Sequence, residues 1–169
     1  MSRRTFIITG IFSVVLFFVY KIVTTIQTKN QLQKNIASLP AFQFTNSQNH
    51  LFTNDSLAKN KNTLLLFFNT TCEHCQYETA QILKNNASFS NSNVLFISRQ
   101  SKNDIQLFDS TYQLFKYAFI KLLRDSTDYS YTIFGINSFP SSIVYNTDGK
   151  LVKSFKGETK IEAIISALQ

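Results

Sequence analysis

The sequence predicts an α/β domain, a central β-sheet flanked by helices, carried behind an N-terminal transmembrane helix. Three observations predict it. From residue 63 onward, short apolar runs of strand length alternate with stretches of helical periodicity. The only two cysteines in 169 residues stand in Cys72-Glu73-His74-Cys75, where one such strand gives way to a helix. Residues 6–26 form an apolar run broken by Lys21 and a few small polar residues, and about twenty helical residues cover the roughly 30 Å hydrocarbon core of a bilayer.

The N-terminal run follows Arg3 and Arg4, and Lys21 is placed to snorkel toward the far interface. Residues 1–27 are therefore expected to be an uncleaved membrane anchor. A cleaved signal peptide is the alternative, but small-x-small cleavage sites are poor here. Residues 28–38 are a polar tether, and residues 39–169 the folded domain. Arg3, Arg4 and the amino terminus compete for the cytoplasmic side with Lys21, Lys29 and Lys34. A short basic head before a first apolar segment usually stays in the cytoplasm, which puts the domain on the extracytoplasmic, periplasmic-type side.

A formal charge of +7 suggests nucleic acid until it is divided along the chain. Residues 1–37 hold five Lys and Arg and no acid, which leaves twelve basic against ten acidic residues in the remainder. That near-balance, with its lysines scattered, is no electrostatic footprint for nucleic acid. Many of the 17 phenylalanines lie within apolar runs, as core residues do, which favours core packing over a base-stacking platform.

Thr63-Leu64-Leu65-Leu66-Phe67-Phe68 is a buried strand by its composition and length, and polar Asn69-Thr70-Thr71 ends it. A helix is expected from Cys72 to Leu83, with Glu73 and Glu78 early and Tyr77, Ala80 and Leu83 at helical spacing. Val94 to Ile97 is a second strand, followed by Ile105, Phe108, Tyr112 and Phe115 at helical spacing. Phe119 to Leu123 and Ser142 to Tyr145 are further strands, and Asp148-Gly149 turns the chain into a strand from Leu151 to Phe155. Thr159-Lys160-Ile161-Glu162 has the capping-box pattern for a last helix, which sets Ile161, Ile164, Ile165 and Leu168 on one face. A sheet covered on both sides follows.

The cysteine spacing points to chemistry rather than stapling, because so short a disulfide loop removes little entropy from the unfolded chain. At the first turn of a helix, unpaired N–H groups and the positive dipole end stabilise an anion, so Cys72 is the expected nucleophilic thiolate. Cys75 lies one turn along the same face, deeper and within reach of a disulfide, and is the expected resolving thiol. His74, when protonated or donating a hydrogen bond, would stabilise the Cys72 thiolate further, and stabilising the dithiol makes the disulfide more oxidising. The plainer reading of His74 is an exposed spacer. Glu78, three residues beyond Cys75, is placed to accept or return the proton of the inner thiol, with a solvated first-turn glutamate as its alternative. Glu73 opposes a thiolate at Cys72 and is assigned to the surface.

With these landmarks in order, the chain resembles the thioredoxin-like family, whose fold is a central mixed β-sheet flanked by helices. Within it, the likeness is to the membrane-anchored, extracytoplasmic thiol-disulfide oxidoreductases that include cytochrome-maturation reductases. It spans about 130 residues, from Leu39 to Gln169. Leu39-Pro40-Ala41-Phe42-Gln43-Phe44 matches the opening strand, Thr63 to Phe68 the central strand, and Glu78 an active-site glutamate of that branch. Ser138-Phe139-Pro140 falls at the family's cis-proline loop. An X-Pro bond is trans by default, so a cis Phe139–Pro140 bond is implied by the resemblance alone. So is substrate binding by Phe139 and Pro140, the backbone of Phe139 pairing with an extended partner chain. Three positions depart from the pattern: Thr71 stands for the tryptophan before the first cysteine, His74 for the proline before the second, and Leu66 for the buried acid of the central strand.

The expected activity is protein thiol-disulfide exchange through a Cys72/Cys75 redox disulfide, more in the direction of reduction than of oxidation. No cofactor beyond that disulfide and no metal are expected, and the partners are protein thiols or disulfides and an upstream redox protein. A disulfide-forming oxidase of the same fold is the near alternative. A thiol peroxidase is disfavoured because Asn69 stands where that family's pattern places a threonine. A copper-binding assembly protein would have to draw on His50, Cys72, His74 and Cys75, and Gln76 after the second cysteine rules out the covalent haem motif Cys-x-x-Cys-His.

Overall fold

A computed structural model describes residues 3–169 and divides the chain into two units, residues 1–35 and 36–169. The first unit is one helix, α1 (Arg3–Asn35), unbroken through most of the segment expected to be a polar tether. The expected anchor, residues 1–27, lies partly outside the described residues. Among the described residues, no helix is long and apolar enough to cross a membrane.

The second unit is built on a mixed seven-stranded sheet. Its strands are β1 (Gln43–Thr45), β2 (Leu51–Thr53), β3 (Thr63–Phe67), β4 (Asn93–Ser98), β5 (Ile120–Arg124), β6 (Ser141–Tyr145) and β7 (Leu151–Lys156), in the order β2-β1-β5-β4-β3-β6-β7. β3, β4 and β5 run parallel, joined by α2 (Glu73–Lys84) with the short α3 (Asn86–Phe89), and then by α4 (Lys102–Tyr112). β6 returns antiparallel to β3 across the turn at Pro140, and β7 pairs antiparallel with β6. The last helices are the single-turn α5 (Tyr129–Thr132) and α6 (Ile161–Ala167).

Every residue of β3 is buried, as a continuous apolar run demands of a strand with both faces covered. On one face Leu64, Leu66, Phe68, Val94, Phe96 and Val144 join one cluster with Ile82 of α2, Phe108 of α4 and Ile161 and Ile164 of α6. Strand alternation sends Leu65, Phe67, Leu95, Ile97 and Ile143 to the other face, where Phe67 packs against Phe134 at 5.3 Å between ring centroids. Truncating a fully buried leucine such as Leu66 to alanine is expected to cost about 2–5 kcal/mol.

Strand limits agree with the sequence expectation to within one or two residues at β3 to β7, while the opening strand is shorter than Leu39 to Phe44 and acquires an antiparallel partner, β2. Three local expectations need correction. The helix after β4 stops at Tyr112, because Gln113 takes the left-handed conformation (φ 54°) and ends it; Phe115 falls in the following 3-10 turn and is exposed. In α2 the buried face holds Cys75, Glu78, Thr79 and Ile82, while Tyr77 and Ala80 face outward. The capping box at Thr159 does not form: α6 begins after Lys160 without a side-chain cap, and Thr159 is engaged elsewhere.

Candidate active site

The loop that carries Cys72 is held by its own polar side chains. Asn69 Oδ1 accepts from Thr71 N (2.9 Å) and Thr71 Oγ1 (2.8 Å), and Asn69 O accepts from Cys72 N at 3.2 Å. Gln100, beyond the end of β4, accepts from Thr70 N at 2.5 Å, and Gln76 Nε2 donates to Thr70 O at 2.9 Å. These bonds tie the turn after β3 to both the neighbouring strand and the helix that follows.

Cys72 is the N-cap of α2, with an extended backbone (φ −83°, ψ 115°), so its sulfur lies at the helix's positive end. It is partly exposed, whereas Cys75 is buried, and both are free thiols. Burial pushes the Cys75 thiol up to about 12, with a hydrogen bond from the Asn69 backbone pulling against it and Cys72 and Glu78 adding to the rise. Two thiols one helical turn apart thus occupy opposite environments, one open and one sealed in its protonated form.

Across from them lies the loop before β6, where the Phe139–Pro140 bond is cis. Cys72 Sγ makes a long S–H···O contact of 3.9 Å with the Phe139 carbonyl oxygen. Pro140 is buried and Phe139 half-buried. Beside this gap an open cavity of about 360 Å³ is lined by Phe68, Asn69, Gln100, Arg124 and Phe139, with Arg99 at its edge paired to Asp128 at 2.5 Å. Its floor is ordered by Asp125, whose carboxylate accepts from the backbone N–H groups of Thr127, Tyr129 and Ser130. Burial raises the proton affinity of Asp125, but the hydrogen bonds from Ser130 and Thr127 outweigh it and hold the carboxyl below its ordinary range.

Glu78 is 1% exposed, on the cluster side of the sheet. Ser142 Oγ donates to its Oε1 at 2.9 Å and the Thr159 N–H to its Oε2 at 3.2 Å. Burial raises its proton affinity, the bonds from Ser142 and Thr159 lower it, and the nearby Glu158 adds to the rise. His74 is exposed, and its Nδ1 pairs with Glu158 Oε2 at 2.5 Å. That partner lies 84 residues along the chain and no local pattern marks it, nor does one mark Ser142 and Thr159 as partners of Glu78. A single serine in the otherwise apolar run Ser142 to Tyr145 was the one available signal. His50 sits in the turn between β1 and β2, at the sheet edge away from β3, so it does not join the cysteines. Among the described residues no group of three or more His, Cys, Asp or Glu is arranged to hold a metal ion.

A mixed sheet with a Cys-x-x-Cys dithiol at a strand-to-helix corner, facing a cis-proline loop, defines a thioredoxin-fold domain. The chain belongs to the thioredoxin-like domain family, whose profile matches residues 53–169. No curated protein sequence matches the chain. Similar solved structures include a secreted Mycobacterium tuberculosis disulfide oxidoreductase homologous to E. coli DsbE, at 18% identity and TM-score 0.64, covering 80% of this chain and 96% of that one. StoA from Bacillus subtilis is 16% identical with TM-score 0.61, covering 79% and 99%. The exposed lipoprotein thioredoxin Etrx1 of Streptococcus pneumoniae is 23% identical with TM-score 0.57, covering 76% and 97%. At these identities the likeness is one of fold.

Proposed function

We propose that this protein is a membrane-tethered thiol-disulfide oxidoreductase that reduces disulfides of extracytoplasmic partner proteins through Cys72 and Cys75. The observation that carries the reading is the asymmetry of the pair: Cys72 open at a helix N-terminus beside the Phe139 carbonyl, Cys75 buried with its thiol pushed up to about 12. A nucleophile has to be reachable, and a resolving thiol has to stay out of the way until it is needed.

In this scheme the Cys72 thiolate attacks one sulfur of a partner disulfide, the other partner sulfur leaves as a thiolate and takes a proton from water, and a mixed disulfide forms. The partner chain lies in the gap along Phe139 and Pro140, its backbone pairing with that of Phe139. Glu78 takes the proton from Cys75. The Cys75 thiolate then attacks Cys72 Sγ, closes the Cys72–Cys75 disulfide and expels the partner's second sulfur as a thiolate. Two electrons have passed to the partner, and an upstream dithiol protein returns them by the same exchange. His74 adds positive charge near the helix end when protonated, with Glu158 as its counter-ion.

Anchoring through residues 1–27 is supported by the apolar run and by the exposure of Val15 to Val19, Ile22, Val23 and Ile26. A secreted and a surface-exposed protein among the fold relatives supports an extracytoplasmic domain. Labelling of Cys72 in intact cells by a membrane-impermeant maleimide tests the placement; labelling only after lysis would reverse it.

The reduction potential of the full-length protein, equilibrated with glutathione or dithiothreitol buffers, tests the activity and its direction. A value near thioredoxin's, about −270 mV, supports a reductase, and one near −120 mV makes the protein an oxidant. The absence of any reversible two-electron couple overturns the reading.

A further inference from the structure

Glu78 is the buried carboxylate next along the helix from Cys75, and the chain supplies its partners from two places far away in sequence. Ser142 comes from β6, two residues beyond Pro140, and stands opposite Leu66 of the central strand in the β3–β6 register. Thr159 comes from the loop between β7 and α6. That loop meets α2 at two points, through Glu158 at the exposed His74 and through the Thr159 N–H at the buried Glu78, one turn further along the helix.

We propose that Ser142 is a positioning residue of the dithiol site: its hydroxyl, together with the Thr159 N–H, fixes both oxygens of Glu78 and keeps its carboxylate available as the proton acceptor for Cys75. The inference rests on the oxidoreductase reading above and adds to it the group that sets the behaviour of Glu78.

The geometry has the required spare capacity. A carboxylate offers about four lone-pair sites, and one bond to each oxygen leaves sites on both for the proton of Cys75. Both donors favour the charged form, whereas burial favours the neutral one. The opposition leaves Glu78 with a proton affinity above that of an exposed glutamate and below that of a buried glutamate without donors. Such a carboxylate takes the proton of a buried thiol more readily than an exposed one would. The charged or titratable groups around it are Cys75 on its own helix, with Cys72 beyond, and Glu158 on the β7–α6 loop, itself paired to His74. β6 contributes uncharged Ser142. Ser142 therefore supplies the only side-chain hydroxyl bonded to Glu78 among the described residues.

The test is a carbon-13 titration of the Glu78 side-chain carboxyl in the full-length dithiol protein, paired with the pH profile of partner release from a mixed disulfide. In Ser142→Ala the Glu78 midpoint is expected to rise by about one pH unit, the worth of one hydrogen bond to a charged group, and the release profile to move with it. Ser142→Thr keeps the hydroxyl and is expected to keep the wild-type midpoint. Ser142→Cys, with its weaker donor, is expected to shift part of the way and guards against a poorly folded alanine variant. An unchanged midpoint in Ser142→Ala and Ser142→Cys overturns the proposal, as does an equal shift in Ser142→Thr. A Glu78 shift that leaves the release profile unmoved overturns the link to Cys75. Absence of a reversible couple with the Glu78 shift intact brings down the oxidoreductase reading and leaves the hold of Ser142 on Glu78 standing.

Discussion

The Cys72 sulfur faces the carbonyl oxygen of Phe139 at 3.9 Å, although 67 residues separate them in the chain. One comes from the N-terminus of α2 and the other from the loop that enters β6, and β3 and β6 are direct neighbours in the sheet. Cys72, the proposed nucleophile, and the backbone proposed to hold its partner are thus brought together by a single strand pairing. In the proposed mode of binding, a partner entering along Phe139 reaches Cys72 first, because Cys75 is buried.

That order of access makes the Cys75→Ala variant a trap. Cys72 still attacks the partner disulfide, and no inner thiol releases the product. Covalent partners are expected to accumulate, to be freed by dithiothreitol, and to be absent from Cys72→Ser. Recovery of none by non-reducing electrophoresis and mass spectrometry, under conditions where the wild type is active, would count against the mechanism.

The two thiols are expected to differ in alkylation. With Cys75 buried and its thiol pushed up to about 12, only a minute fraction is thiolate at pH 8. Brief iodoacetamide treatment of the reduced native protein is expected to modify Cys72 and spare Cys75, with both modified after denaturation. Comparable labelling of both in the native state, read by peptide mass mapping, would contradict the burial argument.

Glu78 has a stability cost with a definite sign. Its proton affinity is raised in the fold, so as pH rises from about 4.3, the ordinary glutamate value, the unfolded chain gives up its proton first. The folded state then binds more protons, and stability contributed by the neutral form is lost as pH rises until the folded group also ionises. Denaturant unfolding between pH 4 and pH 8 is expected to show this downward slope in the wild type and a flatter profile in Glu78→Gln. Parallel profiles would show that the burial of Glu78 carries no such linkage.

Asp125 has the opposite sign. Its carboxyl is held below the ordinary range in the fold, so its contribution is present above about pH 3.9 and is lost as pH falls through the folded value. Asp125→Ala strands the N–H groups of Thr127, Tyr129 and Ser130 and is expected to cost about 2–3 kcal/mol at neutral pH. The deficit relative to wild type is expected to shrink near pH 2. Because Asp125 orders the floor of the cavity beside Phe139, partner selection is expected to suffer more than the reduction potential.

His74 and Glu158 pair at the surface, where an ion pair is worth little. Glu158→Gln is expected to change unfolding free energy by less than about 0.5 kcal/mol. A much larger loss would mean that the pair holds the β7–α6 loop in place.

Much of this was legible in the linear sequence, for identifiable reasons. Leu64 to Phe67 in β3 and Val94 to Ile97 in β4 are continuous apolar runs, because a strand covered on both faces buries alternate side chains on either side, and such runs stand out in any order of reading. Cys72 and Cys75 were placed correctly at a helix start because strand, polar turn and helix are contiguous there. In α2 apolar spacing picks out Tyr77 and Ala80, while the interior takes Glu78 and Thr79 beside Cys75. Periodicity reports where apolar residues lie, and here the buried face is partly polar, with Glu78 bonded to Ser142 and Thr159.

The pairs that give the site its character join distant segments: Cys72 with Phe139, Glu78 with Ser142 and Thr159, His74 with Glu158. No local pattern encodes them. Thr159 shows why, since its sequence context fits a capping box, yet its backbone N–H goes to the buried Glu78, whose unmet oxygen is the more costly one to leave alone. The residue types and the two-cysteine spacing were set along the chain. Which of those residues face one another was decided by the β3–β6 pairing and by the packing of α2 against the β7–α6 loop, because a buried charge must find its donors wherever the fold brings them.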